Sequence, residues 1–368
     1  MIESIETIFN NWFFLTYLSL AFFTAIIIIE VYFKKNKVTT LQNVLVICFS
    51  IIFILMFGLR DYDVGVDTMM YTSVYNKGRS DLYNEKGFNL FNTLLYKFGA
   101  SDRVFIFSIA FSYLSLIYIF LKRKQYKNVF LIFFCWVSLF FFKSMGINTI
   151  RQGLACSIFL VGLTFKKDYI KYLFFVIAAS FHVSLAIVLL VFFISKYFDK
   201  NKYAILSFVL GAILSITNIP IYSWLSLIPG INTLVNDKFE FYSAVSSSDY
   251  KIGFRIDFFI FNLFFAIVGY YYTRYVLKDN FKESKESKES KDYNLVYNMY
   301  LYLSGFFFIM FNSGYSDRYG VLSWMLIPLL IAPFFEYSKI KSRVFNKFTL
   351  LLVCFIFGIV FYKLKIQV

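Results

Sequence analysis

Four short clusters in this chain of 368 residues gather guanidinium groups, carboxylates and its single histidine. The first is Gly58-Leu59-Arg60-Asp61-Tyr62-Asp63-Val64-Gly65-Val66-Asp67-Thr68, with Tyr71 following. Arg60 suits an anion clamp, and its carboxylates suit acid–base work. A plainer reading is an Arg–Asp pair closing a turn, with Asp67 capping a helix over Thr68–Tyr75. The second cluster, Asn148-Thr149-Ile150-Arg151-Gln152-Gly153, opens an apolar run. Asn148 or Thr149 can cap a helix there, so that free N–H groups and a positive dipole end face outward with the Arg151 charge beside them, an arrangement that suits phosphate. The plain alternative is an arginine snorkelling to the interface. The third, Ala178-Ala179-Ser180-Phe181-His182-Val183-Ser184, lies inside an apolar stretch. An ionisable residue at membrane depth is a functional candidate by default. His182 is a base, a hydrogen-bond donor to a phosphate or sugar hydroxyl, or a structural group bonding a freed carbonyl. The fourth, Ser316-Asp317-Arg318-Tyr319-Gly320, offers another guanidinium or a local Asp317–Arg318 surface arrangement, with Arg255 and Asp257 a weaker version.

These clusters are held by a chain that is 59% hydrophobic, with mean hydropathy +0.66. Apolar runs recur from end to end, and a crossing takes about 20 residues. The composition predicts an all-α, polytopic integral membrane protein, because helices satisfy their own backbone in lipid. The short alternating strands of a β-barrel are absent from the pattern. The net charge of +15 sits in lysine and arginine clusters between apolar runs, a topology signal rather than a nucleic-acid surface. Cys48, Cys135, Cys156 and Cys354 are scattered in apolar runs, and one histidine cannot build a histidine-rich metal site. No basic segment precedes the first apolar run, so no cleaved signal peptide is expected.

About twelve spans are predicted, at 12–33, 41–58, 103–121, 128–142, 149–165, 169–181, 183–195, 203–218, 255–275, 294–312, 320–335 and 348–362. The stretch 169–195 is too long for one upright crossing. Bent near Phe181-His182, it keeps the larger share of lysines and arginines on one side, as the positive-inside rule requires, and brings His182, Arg60, Asp67, Arg151 and Arg318 to the other. Lys363 and Lys365 then fall outside, which an amphipathic segment in place of a span at 348–362 would repair. The chain reads as one polytopic domain, 1–368. It carries an outer loop at 59–102 with an interfacial helix over Gly87–Lys97, an irregular outer loop at 219–254, and a solvated, disordered cytoplasmic linker at 278–293 containing the ESK triplet repeat.

The ordered pieces Arg60-Asp61, Gly65-Val66-Asp67-Thr68-Met69-Met70-Tyr71, Glu85-Lys86-Gly87-Phe88, Ile150-Arg151-Gln152-Gly153-Leu154-Ala155, Phe181-His182-x-Ser184 and Arg318-Tyr319 resemble the EpsG family of bacterial exopolysaccharide proteins, within the wider group of Wzy-type polysaccharide polymerases. The resemblance implies a glycosyltransferase of the bacterial inner membrane with a fold similar to multi-span GT-C enzymes. It would move a growing glycan from undecaprenyl pyrophosphate onto a lipid-linked repeat unit at the periplasmic face. It implies no cofactor, neither nucleotide sugar nor obligatory metal. The implied partners are undecaprenyl-pyrophosphate-linked oligosaccharides, membrane lipid and a chain-length regulator protein, with no nucleic acid. Arg60, Arg151, Gln152, Arg318, Tyr319 and Tyr71 are then the substrate and pyrophosphate ligands. His182 is the first choice of base, with Asp67 or Glu85 behind it.

Competing readings are an O-antigen ligase, a membrane acyltransferase acting on surface glycan, and a lipid-linked oligosaccharide flippase. An acyltransferase needs a His and acid pair facing the inside. A flippase should carry cations along a central cavity and show repeat symmetry between its halves.

Overall fold

A computed structural model describes residues 4–35, 38–78, 85–217, 252–276, 288–336 and 345–363. Among them there are helices and no strands. Most of the outer loop at 219–254, Arg79 and Asp81 of the loop at 59–102, and most of the linker at 278–293 lie outside the described residues. The chain divides into two compact units, one formed by residues 1–186 with 332–368 and the other by residues 187–331.

The first unit is built on α1 (Ile5–Ile28), α2 (Thr39–Gly58), α5 (Asp102–Lys124), α6 (Val129–Ser138), α7 (Phe141–Ile147), α8 (Ile150–Gly162), α9 (Asp168–Phe181) and α16 (Lys347–Lys363), with two short helices, α3 (Thr68–Asn76) and α4 (Lys86–Lys97), beside them. Helix α6 is apolar on every face and buried along its whole length, packed by α1, α2, α5 and α16. Helices α2, α5, α8 and α9 pack in succession. Thr16 meets Met56, and Phe23 stacks edge-on to Phe49, so α1 and α2 run antiparallel. One end of this unit carries Lys34, Lys35, Lys122, Arg123, Lys124, Lys127 and Lys347 and is called here the basic end. There, Arg123 donates to Thr164 in the α8–α9 turn (2.6 Å), and the Glu336 carboxylate accepts from the Lys127 and Asn128 amides before α6 (both 2.9 Å). A carboxylate at a helix start is favourable because the first amides lack helical acceptors. The opposite end gathers the end of α2, the starts of α5 and α8, the end of α9, and α3 and α4.

Among the described residues, six helices are long and apolar enough to cross a membrane, or seven if the bent pair α6–α7 is one span. Twelve crossings are therefore not confirmed. The spans expected at 149–165, 169–181 and 183–195 are helices of 13, 14 and 13 residues. At 1.5 Å per residue each reaches about 20 Å, short of an apolar core of about 30 Å. The expected break at 169–195 is present: α9 stops at Phe181, His182 is extended (φ −154°, ψ 121°), and α10 (Leu185–Tyr197) begins three residues on. The span expected at 128–142 is itself broken, with α6 and α7 meeting at 75°. Three tyrosines brace that break. Tyr362 donates to the Val137 and Leu139 carbonyls, Tyr17 pairs with Ser138 (3.2 Å), and Tyr113 reaches the Phe142 carbonyl (3.5 Å). The Tyr362 hydroxyl gives the Val137 carbonyl a donor in apolar surroundings, while the Leu139 carbonyl also accepts from the Phe142 amide (2.9 Å). Helix α16 runs the length of α1, from Lys347 over the Tyr32 ring to Lys363 beside the Phe14 ring, and so replaces the amphipathic surface segment considered for 348–362.

The second unit contains α11 (Asn201–Ile216), α12 (Ile256–Tyr271), α13 (Lys288–Ile309) and α14 (Asp317–Trp324), and the first turn of α15 (Ile327–Glu336). Gly211 and Gly305 let α11 and α13 touch backbone to backbone, since a Cβ on Gly211 would lie 2.3 Å from the Gly305 carbonyl oxygen. At its centre the Asn262 side chain accepts from Ser304 (3.1 Å), Tyr300 (3.3 Å) and the Trp324 indole (3.2 Å), and donates to the Phe258 carbonyl (2.8 Å).

Candidate active site

At the end of the first unit opposite the basic end, the loop 59–67 folds onto the junction of α7 and α8. Gly65 takes φ +86°, and a Cβ there would fall 2.7 Å from the Asn148 side-chain oxygen. That oxygen accepts from the Val66 amide (3.1 Å). Asn148 therefore pins the loop and does not cap α8. Thr149 holds the N-cap position without a side-chain capping bond. Asp67 likewise stands at the N-cap of α3 without a side-chain capping bond, which departs from the capping reading.

Arg60 is buried inside this junction. Its guanidinium donates to Thr68 Oγ1 (3.2 Å), to the Ile147 carbonyl (3.3 Å) and to the Phe57 carbonyl. Burial lowers its pKa to about 10, so it remains a cation at neutral pH. These bonds tie the end of α2 to α3 and to the end of α7, a structural clamp. Arg103, which sequence reasoning passed over, lies over the Tyr62 ring (4.0 Å) and donates to the Arg60 carbonyl.

Arg151, in the first turn of α8, is placed differently. It donates from Nε to the Tyr71 hydroxyl (3.0 Å) and from a terminal nitrogen to Glu85 (2.7 Å). Glu85 is nearly buried (8% exposed), whereas Arg151 keeps 21% of its side chain open. Tyr71 belongs to an aromatic cluster with Tyr75, Phe88, Phe105 and Ile150, against which Phe181 packs. That cluster docks α3 and α4 on the helix ends. The expected interfacial helix over Gly87–Lys97 is α4, and Gly87 lets it press on the last turn of α9: a Cβ would meet Ser180 Oγ at 2.2 Å. Asp67 lies one turn before Tyr71 on α3, with its backbone carbonyl accepting from the Tyr71 amide (3.0 Å). Positions i and i+4 share a helix face.

His182 sits at the end of α9, in the same unit. Its Nδ1 accepts from the Ser184 amide (3.3 Å) and lies 2.7 Å from Ser184 Oγ. Ser184 Oγ in turn accepts from Gln152 Nε2 (3.3 Å). A backbone N–H can only donate, so Nδ1 is the acceptor, and the neutral ring carries its proton on Nε2. Gln152, the residue after Arg151, thus orients the imidazole through Ser184. As arranged, His182 offers an N–H donor at its outer nitrogen rather than a base.

The first unit therefore brings together Arg60, Asp67, Tyr71, Glu85, Arg151, Gln152 and His182. Arg318 and Tyr319 lie in the second unit, at the start of α14. Arg318 covers the Tyr315 ring (4.6 Å), and Tyr319 packs edge-on to Phe306 (5.7 Å). Arg255, nearby in chain order to α12, forms a two-pronged pair with Asp257 (3.0 and 2.6 Å). No group of three or more His, Cys, Asp or Glu side chains suited to a metal ion occurs among the described residues. The sequence carried a signal for Ser184, two positions after the only histidine, but none for its link to Gln152.

Chemically, the cluster presents a partly open guanidinium, an imidazole N–H and a carboxylate, a set suited to meeting an anionic group that gains charge as a bond breaks. In comparisons with known proteins, the model of the EpsG family matches residues 43–367. No curated protein and no solved structure matches the chain.

Proposed function

Because the chain belongs to the EpsG family, we propose that it is a polysaccharide polymerase, a membrane glycosyltransferase that extends a glycan carried on undecaprenyl pyrophosphate. In each cycle the bond from the sugar's anomeric carbon to the diphosphate oxygen breaks. A new bond forms from that carbon to a hydroxyl of a lipid-linked repeat unit. The diphosphate leaves with its lipid, and the hydroxyl proton passes to a carboxylate. Arg151 and the Nε2–H of His182 meet the charge developing on the diphosphate, where fixed donors lower the barrier most. Tyr71 and Glu85 hold Arg151 in place. Asp67, half-exposed and one turn from Tyr71, is the base. Holding both lipid-linked substrates side by side supplies much of the rest. The basic end faces the cytoplasm by the positive-inside rule, which turns the cluster toward the periplasm.

One observation carries this reading: Arg151 and the Gln152–Ser184–His182 chain lie in one unit, at the end opposite the lysine clusters. A ligase remains the second reading, since it uses the same donor chemistry on a different acceptor. The test is complementation of a deletion strain. Arg151→Ala should leave the protein inserted and the surface glycan stopped at one repeat unit. Long polymer in that strain would remove the assignment. Loss of all transfer to the final acceptor would favour the ligase, and glycan trapped inside would favour a flippase.

A further inference from the structure

A second cationic position lies in the first unit, on α7 rather than on α8 with Arg151. Between Asn128 and Arg151 the chain has one charged residue, Lys143. It falls in α7, just past the 75° break. Its neighbour Phe142 packs on Phe53 and Phe57 (5.1 and 5.6 Å), and the Phe142 carbonyl accepts from Tyr113. Tyr113 is halfway along the 23 residues of α5, about 17 Å from its start. Lys143 thus follows directly on a side chain packed between α2 and α5.

The side chain runs to the first ten residues of α1. The Lys143 ammonium donates to the Asn10 side-chain oxygen and lies near the faces of Phe9 and Phe13 (5.8 and 5.6 Å). Lys363, at the end of α16, reaches the same stretch, 5.5 Å from the Phe14 ring. Phe140 packs on Phe361 at 4.8 Å, which joins the start of α7 to the last turn of α16. Two ammonium groups thus reach one short stretch of α1, at the end opposite the basic end. On α1 the neighbouring Trp12 (63% exposed) and Leu15 (53%) face outward. A snorkelling lysine would need neither a helix break nor a fixed amide partner.

We propose that Lys143 and Lys363 form a binding site for a lipid-borne diphosphate, with the lipid tail lying along the open apolar face of α1. The identity of that lipid as a polyprenyl substrate rests on the polymerase reading; the site itself does not. Two point charges match the two negative charges of a diphosphate esterified by lipid at one end and sugar at the other, and lysine binds phosphate without needing a fixed fork geometry. Two lipid-linked substrates must be held at once for transfer, and this position would retain one of them while Arg151 holds the other.

The test uses the full chain in lipid nanodiscs, titrated calorimetrically with farnesyl diphosphate in an Arg151→Ala, Glu85→Gln background. That background separates the two positions, because the Arg151 guanidinium no longer contributes to the binding that is read. Lys143→Gln should weaken binding at least tenfold, Lys363→Gln severalfold, and Lys143→Arg less than threefold. Unchanged binding in Lys143→Gln overturns the proposal. So does equal weakening in Lys143→Arg and Lys143→Gln with a lowered melting temperature in both, which would make the ammonium structural. Competition by inorganic pyrophosphate as strong as by farnesyl diphosphate would overturn the lipid as the source of the phosphate. Equal competition by phosphatidylglycerol would overturn the diphosphate.

Discussion

Two polar clusters in this protein are both surrounded by apolar chain, yet they are built on opposite terms. The Asn262 cluster of the second unit is neutral and fully buried, with one amide serving Tyr300, Ser304 and Trp324. The Arg151 cluster of the first unit is charged, with a guanidinium partly open and an imidazole nitrogen held by a serine. A saturated neutral hub welds helices, since every donor is already engaged and a ligand would gain nothing by entering. A guanidinium left partly open beside a nearly buried carboxylate is not explained by welding, and so points to a ligand.

The largest expected effect falls on the charged cluster. Arg151→Ala should lower polymer formation by about 1,000-fold, the scale for removing one donor at a developing anion. It also strands the nearly buried Glu85, so the substitution should be paired with Glu85→Gln. Restored folding with polymer still absent would keep the comparison; restored polymer would make Arg151 as structural as Asn262. His182 comes next. His182→Ala should lose about 100-fold, while His182→Gln, whose amide nitrogen can replace the Nε2–H, should recover much of that loss. A base cannot be replaced this way, so equal loss in both variants would reverse the donor assignment. At the other cluster, Asn262→Leu should destabilise by about 3 kcal/mol, because Ser304 and the Trp324 indole lose their acceptor, while Tyr300 keeps the Asn262 backbone carbonyl (2.8 Å). Glycan made per folded molecule should not change. Thermal unfolding in detergent, read beside activity, separates the two outcomes, and a normal melting curve with lost activity would blur the contrast.

What could be read in advance follows the same division. The break at His182 was legible because charge and length both demanded it, and α4 because its apolar residues recur at helical spacing. Asn262, one amide in the run IDFFIFNLFFAIVGYY, was a visible signal that went unread. The number of crossings was not legible, because apolar composition does not reveal where a run divides into helices too short to span. Arg60 looked like an anion ligand in the sequence. Its acceptors are the Thr68 hydroxyl and the carbonyls of Phe57 and, far along the chain, Ile147, and no local pattern announces the last. The α6–α7 break was equally hidden, since it has neither proline nor glycine at the bend and depends on tyrosines up to 225 residues away.

The smallest predicted effect tests that last point. Tyr362→Phe removes one hydroxyl from the Val137 and Leu139 carbonyls and little volume. The Leu139 carbonyl keeps the Phe142 amide, so the loss falls on the Val137 carbonyl, which is enclosed by α6, α7 and α16. The expected cost is about 1 kcal/mol, in the range of hydrogen bonds within membrane bundles. Hydrogen exchange should quicken at the amides of Phe140 to Phe142 while α5 stays protected. Polymer length should hold, since Tyr362 touches neither Arg151 nor His182. If exchange at the bend is unchanged, the tyrosines follow the break rather than support it, and its cause must lie in the packing of the phenylalanine run itself.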